Sequence, residues 1–128
     1  MPWDGSPGGG FTRPGVTPWL PMADHPVSTV ADQRGDPDST LWLCRRLLAL
    51  RRAELGDGIA KFENLPAAAG LWAYRVGSLV VAANFTDQPA EMPDGAGEVL
   101  LTSAAGPAAA RGVLRPWEGV VTRPGSGR

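Results

Sequence analysis

Leu71-Trp72-Ala73-Tyr74-Arg75-Val76-Gly77-Ser78-Leu79-Val80-Val81-Ala82-Ala83-Asn84-Phe85 is the stretch whose reading decides the fold. Trp72 and Tyr74 share one face by a period of two, the spacing of a strand and not of a helix. Leu79 to Ala83 is apolar at every position. A strand there puts Leu79, Val81 and Ala83 on one face and Val80 and Ala82 on the other, as in a central strand covered on both sides. Val76-Gly77-Ser78 is a tight turn, so Leu71–Arg75 and Leu79–Phe85 make a hairpin. Similar short runs, rich in Val, Leu and aromatic residues, occur at Ile59–Phe62, Ala90–Met92, Glu98–Leu101 and Glu118–Thr122. Short strands joined by turn residues predict an antiparallel β-sandwich over residues 58–122. Ser103 to Gly112, rich in Ala, Gly and Pro, loops out, and the chain frays from Pro124.

Upstream the period changes to that of a helix. Leu41, Leu43, Cys44, Leu47, Leu48, Leu50 and Leu55 fall on one broad face at 3.6-residue spacing. Asp36 is a suitable N-cap, Pro37 suits the first helical position, and Gly56 with Asp57-Gly58 ends the element, so a helix is expected over residues 36–57. The fold class is therefore mostly β with one long helix. Cys44, inside the apolar pattern, is expected to be a buried reduced thiol. Arg51 projects from the middle of the same face. There it either forms a buried ion pair, with Glu54 at i+3 or with Glu63, or contacts substrate.

Residues 1–35 are different again. Pro2, Pro7, Pro14, Pro18, Pro21 and Pro26 exclude a long helix, and Gly8-Gly9-Gly10 marks a loop. The segment nevertheless carries Trp3, Phe11, Trp19, Leu20 and Met22, more large apolar groups than a free linker needs.

Composition narrows the function. A chain of 128 residues with 43% hydrophobic content can bury a core but is too short for a complete barrel enzyme. A net charge of −1 gives no basic face for nucleic acid. No run is long enough to span a bilayer, and neither a signal peptide nor a disulfide is expected, which suits a cytoplasmic protein. Asn84-Phe85-Thr86 fits the glycosylation triplet but ends a strand, and it is read as chance. The 13 acidic residues sit in caps and turns, and none makes a pair placed to face another across a cleft, as glycoside hydrolysis requires. Asp24-His25 is the one place where a histidine adjoins a carboxylate, with neither nucleophile nor metal-ligand spacing beside it. Gly8-Gly9-Gly10 lacks the preceding strand and the lysine of a phosphate loop. No catalytic residue, cofactor or metal site is expected within the chain.

Five motifs in order carry a resemblance. Met1-Pro2-Trp3-Asp4 with Gly10-Phe11-Thr12 and Pro18-Trp19-Leu20-Pro21, then Thr29 to Gln33, then Asp36-Pro37-Asp38-Ser39 leading to Leu48–Arg51, then Ala83-Asn84-Phe85-Thr86, then Leu114-(x)-Pro116-Trp117-Glu118 together resemble bacterial α-glucosidases and oligo-1,6-glucosidases of the α-amylase superfamily. The resemblance implies a barrel-derived loop at 1–35, the last helix of a truncated (β/α)8 barrel at 36–57, an amylase-type all-β C-terminal domain at 58–122 and a tail at 123–128. It implies a parent enzyme that hydrolyses terminal α-linked glucose in oligosaccharides with retention. Gly10-Phe11 is followed by Thr12 where the family's nucleophile strand has Arg, and His25 by Pro26 where the family has Asp. The catalytic elements would thus lie upstream of residue 1, and whether the chain is itself an enzyme stays open. Trp3, Asp4 and Phe11 would be its contribution to the substrate pocket rim, unless Trp3 and Phe11 only pack the loop. The partners implied are an oligosaccharide held by the parent barrel and the barrel domain itself. Two other readings stand beside this one. A free-standing carbohydrate-binding sandwich would use Trp72, Tyr74 and Trp117. A trehalose synthase, or another isomerising or transglycosylating relative, would share the same C-terminal parts.

Overall fold

The computed structural model describes residues 1–22, 28–105 and 112–125. The chain divides into two compact units, Met1–Arg45 and Arg46–Arg128.

In the second unit, β1 (Phe62–Asn64), β2 (Leu71–Val76), β3 (Leu79–Asn84), β7 (Gly119–Arg123) and β5 (Glu98–Thr102) form one five-stranded sheet in that order. β4 (Ala90–Glu91) and β6 (Val113–Leu114) pair separately. Every pairing is antiparallel. The β2–β3 hairpin is in the expected register, with Val76 opposite Leu79. Its two-residue loop has Gly77 at φ 55°, a conformation glycine adopts without steric cost. β7 inserts between β3 and β5, making β3 a central strand. Between β5 and β7 the register slips at Leu100, since Val99 faces Thr122 while Leu101 faces Val121.

The core lies between the two sheets. Ala73, Ala82 and Val120 are aligned across β2, β3 and β7. Leu114 from β6 packs on them with Leu65, Leu71 and Met92. Small residues on the large sheet and one leucine from the small one let the layers approach closely. The opposite face, with Tyr74, Val76, Leu79, Val81 and Val121, borders an open apolar cleft of about 610 Å³ whose other wall includes Leu47, Leu48, Leu50 and Leu55.

Several details differ from expectation. β1 starts at Phe62 and not Ile59, which is fully exposed. β6 is too short for a periodic pattern to register. The long helix, α2, runs from Thr40 to Leu55, four residues later than Asp36 predicts. Asp36 instead accepts the Asp38 N–H at 2.9 Å, and the Ser39 hydroxyl accepts from Trp42 N at 3.5 Å. None of the α2 residues is buried. Cys44 is therefore exposed, contrary to the expectation of a buried thiol.

The same exposure removes the reason for a buried pair at Arg51. Its guanidinium reaches water, and among the described residues it makes no ion pair. Glu54 bonds Arg123 of β7 instead. Replacing Arg51 by alanine should change stability by less than about 0.5 kcal/mol. A thermal melt checks this, and a fall of several degrees would restore the buried pair.

In the first unit a second helix, α1 (Val30–Gly35), occupies ground where proline content predicts loop. Thr29 caps it reciprocally: its hydroxyl accepts from Asp32 N at 3.1 Å, and Asp32 accepts from Thr29 N at 2.9 Å. Those hydrogen bonds from Thr29, backbone first, hold the Asp32 carboxyl below the usual range. Thr-x-x-Asp is a capping-box signal short enough to hide in an aperiodic segment.

Candidate functional site

The N-terminal loop is folded on itself and tied to α1. Trp3 N–H donates to Gly9 O at 2.8 Å, and Phe11 N–H to Gly8 O at 3.0 Å. Val30 and Ala31 donate to the carbonyls of Pro2 and Trp3 at 2.9 and 3.0 Å. Gly8, Gly9 and Gly10 all have positive φ, at 85°, 61° and 75°. At Gly10 a Cβ would stand 2.8 Å from Trp3 Cβ and 3.1 Å from Asp4 Oδ2. The glycine run thus serves a left-handed path and a close approach, not anion binding.

Of the residues expected at a pocket rim, Trp3 and Asp4 lie together against Gly10. The Asp4 carboxylate is held by the Ser6 hydroxyl and by Ser6 N at 2.9 Å. These bonds, the hydroxyl's first, lower its pKa. Phe11 lines a different space, an apolar cleft of about 570 Å³ with Met1, Pro2, Thr12, Trp19 and Met22. Trp3 and Asp4 do not border that cleft. Both aromatic rings are about half exposed. Asp24 and His25 lie outside the described residues, as does part of the Ser103–Gly112 loop. Among the described residues no group of three or more His, Cys, Asp or Glu is placed to hold a metal.

The most organised polar structure in the chain lies at one end of the sandwich, where two turns meet. In the first, Asn84 is almost fully buried at 2% exposure. Its Nδ2 donates to Gln88 O at 2.7 Å and to Arg115 O at 3.0 Å, while Oδ1 accepts from Thr86 N at 3.0 Å and Thr86 Oγ1 at 2.8 Å. With its amide engaged in this way, Asn84 is unavailable for glycosylation in the folded chain.

In the second turn Arg115 O accepts from Glu118 N at 3.2 Å, with Pro116 and Trp117 between them. Trp117 has φ 59°, the only positive φ outside glycine among the described residues. The third position of a type II turn requires such a φ and ordinarily takes glycine. The Glu118 side chain is fully buried. It accepts from Arg115 NH2 at 3.0 Å, Arg115 Nε at 3.3 Å, Arg115 N at 2.8 Å and the Thr102 hydroxyl. Burial pushes its carboxyl up, but the hydrogen bonds from Arg115 and Thr102 and the Arg115 charge outweigh burial, and its pKa lies below normal. The hydrogen bond to Glu118 in turn raises that of Arg115. Trp117 N–H donates to Thr86 O at 3.2 Å, joining the two turns. Sequence reading marked both motifs but not the Arg115–Glu118 pair. The available signal was an Arg and a Glu three residues apart on either side of a Pro-Trp turn.

Trp72 and Tyr74, the other aromatic candidates, share a face as expected. Their centroids are 4.8 Å apart, and Phe62 lies 5.1 Å from Tyr74. The planes are tilted by 40° and 32°, so the rings pack on each other instead of forming a flat ledge.

Comparison with known proteins places this architecture. A family model described as a domain of unknown function (DUF3459) matches residues 64–121, from the last residue of β1 to the middle of β7. A probable α-glucosidase of Rhizobium meliloti is 48% identical over 64 residues, covering 49% of this chain and 11% of that protein. An α-glucosidase of Schizosaccharomyces pombe is 42% identical over 60 residues, covering 46% and 10%. The chain thus spans about a tenth of the length of the curated relatives it matches. The crystal structure of an α-amylase from H. orenii superimposes with a TM-score of 0.57 at 19% identity, over 76% of this chain and 22% of that one. Over about half of its length the chain is thus similar to α-glucosidases, and it shares the fold of a part of this α-amylase.

Proposed function

We propose that this chain is the non-catalytic C-terminal part of a retaining α-glucosidase acting on terminal α-linked glucose in oligosaccharides. The observation that carries the reading is the 48% identity to a probable α-glucosidase. In this reading residues 1–35 are a loop of the catalytic barrel, 36–57 its last helix, 58–122 the β-domain and 123–128 a tail. Trp3, Asp4 and Phe11 stand at the rim of the substrate pocket, and the carboxylates that form and hydrolyse the glycosyl-enzyme belong to the barrel. The exposed Leu47, Leu48 and Ile59 support packing against that barrel. The protein works in the cytoplasm. No helix among the described residues is long and apolar enough to cross a membrane.

The purified 128-residue chain is expected to show no turnover of maltose or of a chromogenic α-glucoside. Exchanged for the matching segment of the Rhizobium meliloti relative, it should yield an active chimera. Turnover by the chain alone that disappears on mutating one of its own acidic residues would overturn the reading.

A further inference from the structure

Three aspartates in the chain are followed by glycine: Asp4, Asp57 and Asp94. A glycine has no Cβ to keep its amide nitrogen away from the preceding side chain. That nitrogen can attack the aspartate Cγ. The N–Cγ bond forms, the Cγ–OH bond breaks, and the amide proton and the hydroxyl leave as water. The five-membered imide then takes up water at either of its carbonyls. Opening at one restores aspartate. Opening at the other gives isoaspartate, in which the main chain runs through Cβ and Cγ and the former main-chain carboxyl becomes the side group. Asn64 and Asn84 could close in the same way with loss of ammonia, but Leu65 and Phe85 follow them and crowd the nitrogen.

The fold treats the three pairs differently. Exposure does not separate them, since all three aspartates are exposed. Asp4 is pinned. Its Oδ1 accepts from Ser6 N at 2.9 Å and from the Ser6 hydroxyl, and its Oδ2 lies against Gly10, where an added Cβ would stand 3.1 Å away. Both bonds from Ser6 favour the ionised carboxylate, the form with no hydroxyl to lose. The side chains of Asp57 and Asp94 make no hydrogen bond or ion pair among the described residues. The N–H groups of Gly58 and Gly95 donate to no backbone carbonyl among those residues. Asp57 follows Gly56, whose N–H closes α2 on Arg52 O at 3.1 Å. Asp94 sits in a turn closed by Ala96 N–H on Pro93 O at 3.2 Å, with Gly95 at φ 80°. Neither turn uses the attacking nitrogen or the aspartate carboxyl in its own hydrogen bonds.

We propose that Asp57 and Asp94 are sites of spontaneous rearrangement to isoaspartate, and that Asp4, in the same dipeptide, is protected from it by Ser6. The reaction needs only the chain and water. At Asp57 the added methylene enters the connection between α2 and β1, one residue after the glycine that ends the helix. At Asp94 it enters the turn that precedes β5. The proposal is independent of the hydrolase reading, because its readout is the covalent state of the chain.

The test holds the folded 128-residue chain in heavy-oxygen water at mildly acidic pH, then digests it in ordinary water for mass spectrometry. Each opening of the imide leaves one heavy oxygen at that aspartate, and electron-transfer fragmentation distinguishes isoaspartate from aspartate. Asp57 and Asp94 should gain label and isoaspartate several-fold faster than Asp4. In urea, where Ser6 no longer holds Asp4, the three sites should react alike. In the folded chain Ser6→Ala should raise the Asp4 rate towards that of the other two. Equal labelling of all three aspartates in the folded chain would overturn the proposal. So would the absence of label at Asp57 or Asp94 over a time in which the urea-unfolded chain reacts, or an Asp4 rate that Ser6→Ala leaves unchanged.

Discussion

Replacing Glu118 by alanine should destabilise the β-domain by about 3–5 kcal/mol, the range for removing one member of a buried charge pair. The melting temperature should fall by on the order of 12 °C or more. The loss has separable parts. The backbone N–H of Arg115 and the Thr102 hydroxyl lose their acceptor, and a buried unsatisfied group costs about 1–3 kcal/mol. Arg115 can still turn to water, because its side chain is 38% exposed. Arg115→Ala instead strands a buried carboxylate and should cost a similar amount, with the double variant far from additive. The pH dependence follows from the lowered carboxyl pKa. A depressed folded-state value means the carboxylate contributes stability above its unfolded pKa of about 4.3, lost as pH falls through the folded value. Wild type should therefore lose more melting temperature between about pH 6 and pH 3 than Glu118→Gln does. Equal acid sensitivity would show that the carboxylate contributes nothing.

Leu114→Ala should have an effect of the same order, about 2–5 kcal/mol. Leu114 has no exposed surface and packs from the short β6 against Ala73, Ala82 and Val120. Those neighbours are too small to close over the space it would leave, so most of the cavity should persist. Urea denaturation followed by near-ultraviolet circular dichroism would measure it. A shift under about 0.5 kcal/mol would mean that the two sheets do not depend on this contact.

Legibility from sequence followed the strength of local pattern. The Leu71–Phe85 hairpin was readable because alternation, an unbroken apolar run and a Gly-Ser turn agreed. α2 was readable from its leucine period, but that period says nothing about what covers the leucines, so burial of Cys44 and pairing of Arg51 did not follow. Its start was misplaced because Asp36, Asp38 and Ser39 can all cap, and only geometry chooses Ser39. α1 was hidden by surrounding prolines, and β6 by having two residues. At the rim of the N-terminal loop the residue types were visible, but their division between two places was not, since it depends on how three left-handed glycines turn the chain. The Glu118 clamp escaped because an i,i+3 Arg–Glu pair reads as solvated surface unless the turn that buries it is already known.

The place of β7 bears on how the domain is made. It follows every other strand in sequence yet lies between β3 and β5. During synthesis β5 therefore has no neighbour to pair with until residues 119–123 have emerged, and the β1–β3 meander waits with one long edge open. Closure is non-local, and folding dominated by such pairings is slow. The open edge of β3, apolar on both faces, is an invitation to another nascent chain. A ribosome stalled before Gly119 would hold out a sheet lacking the strand that joins β3 to β5, and a chaperone that shields strand edges would do more for this domain than one that only shields its core.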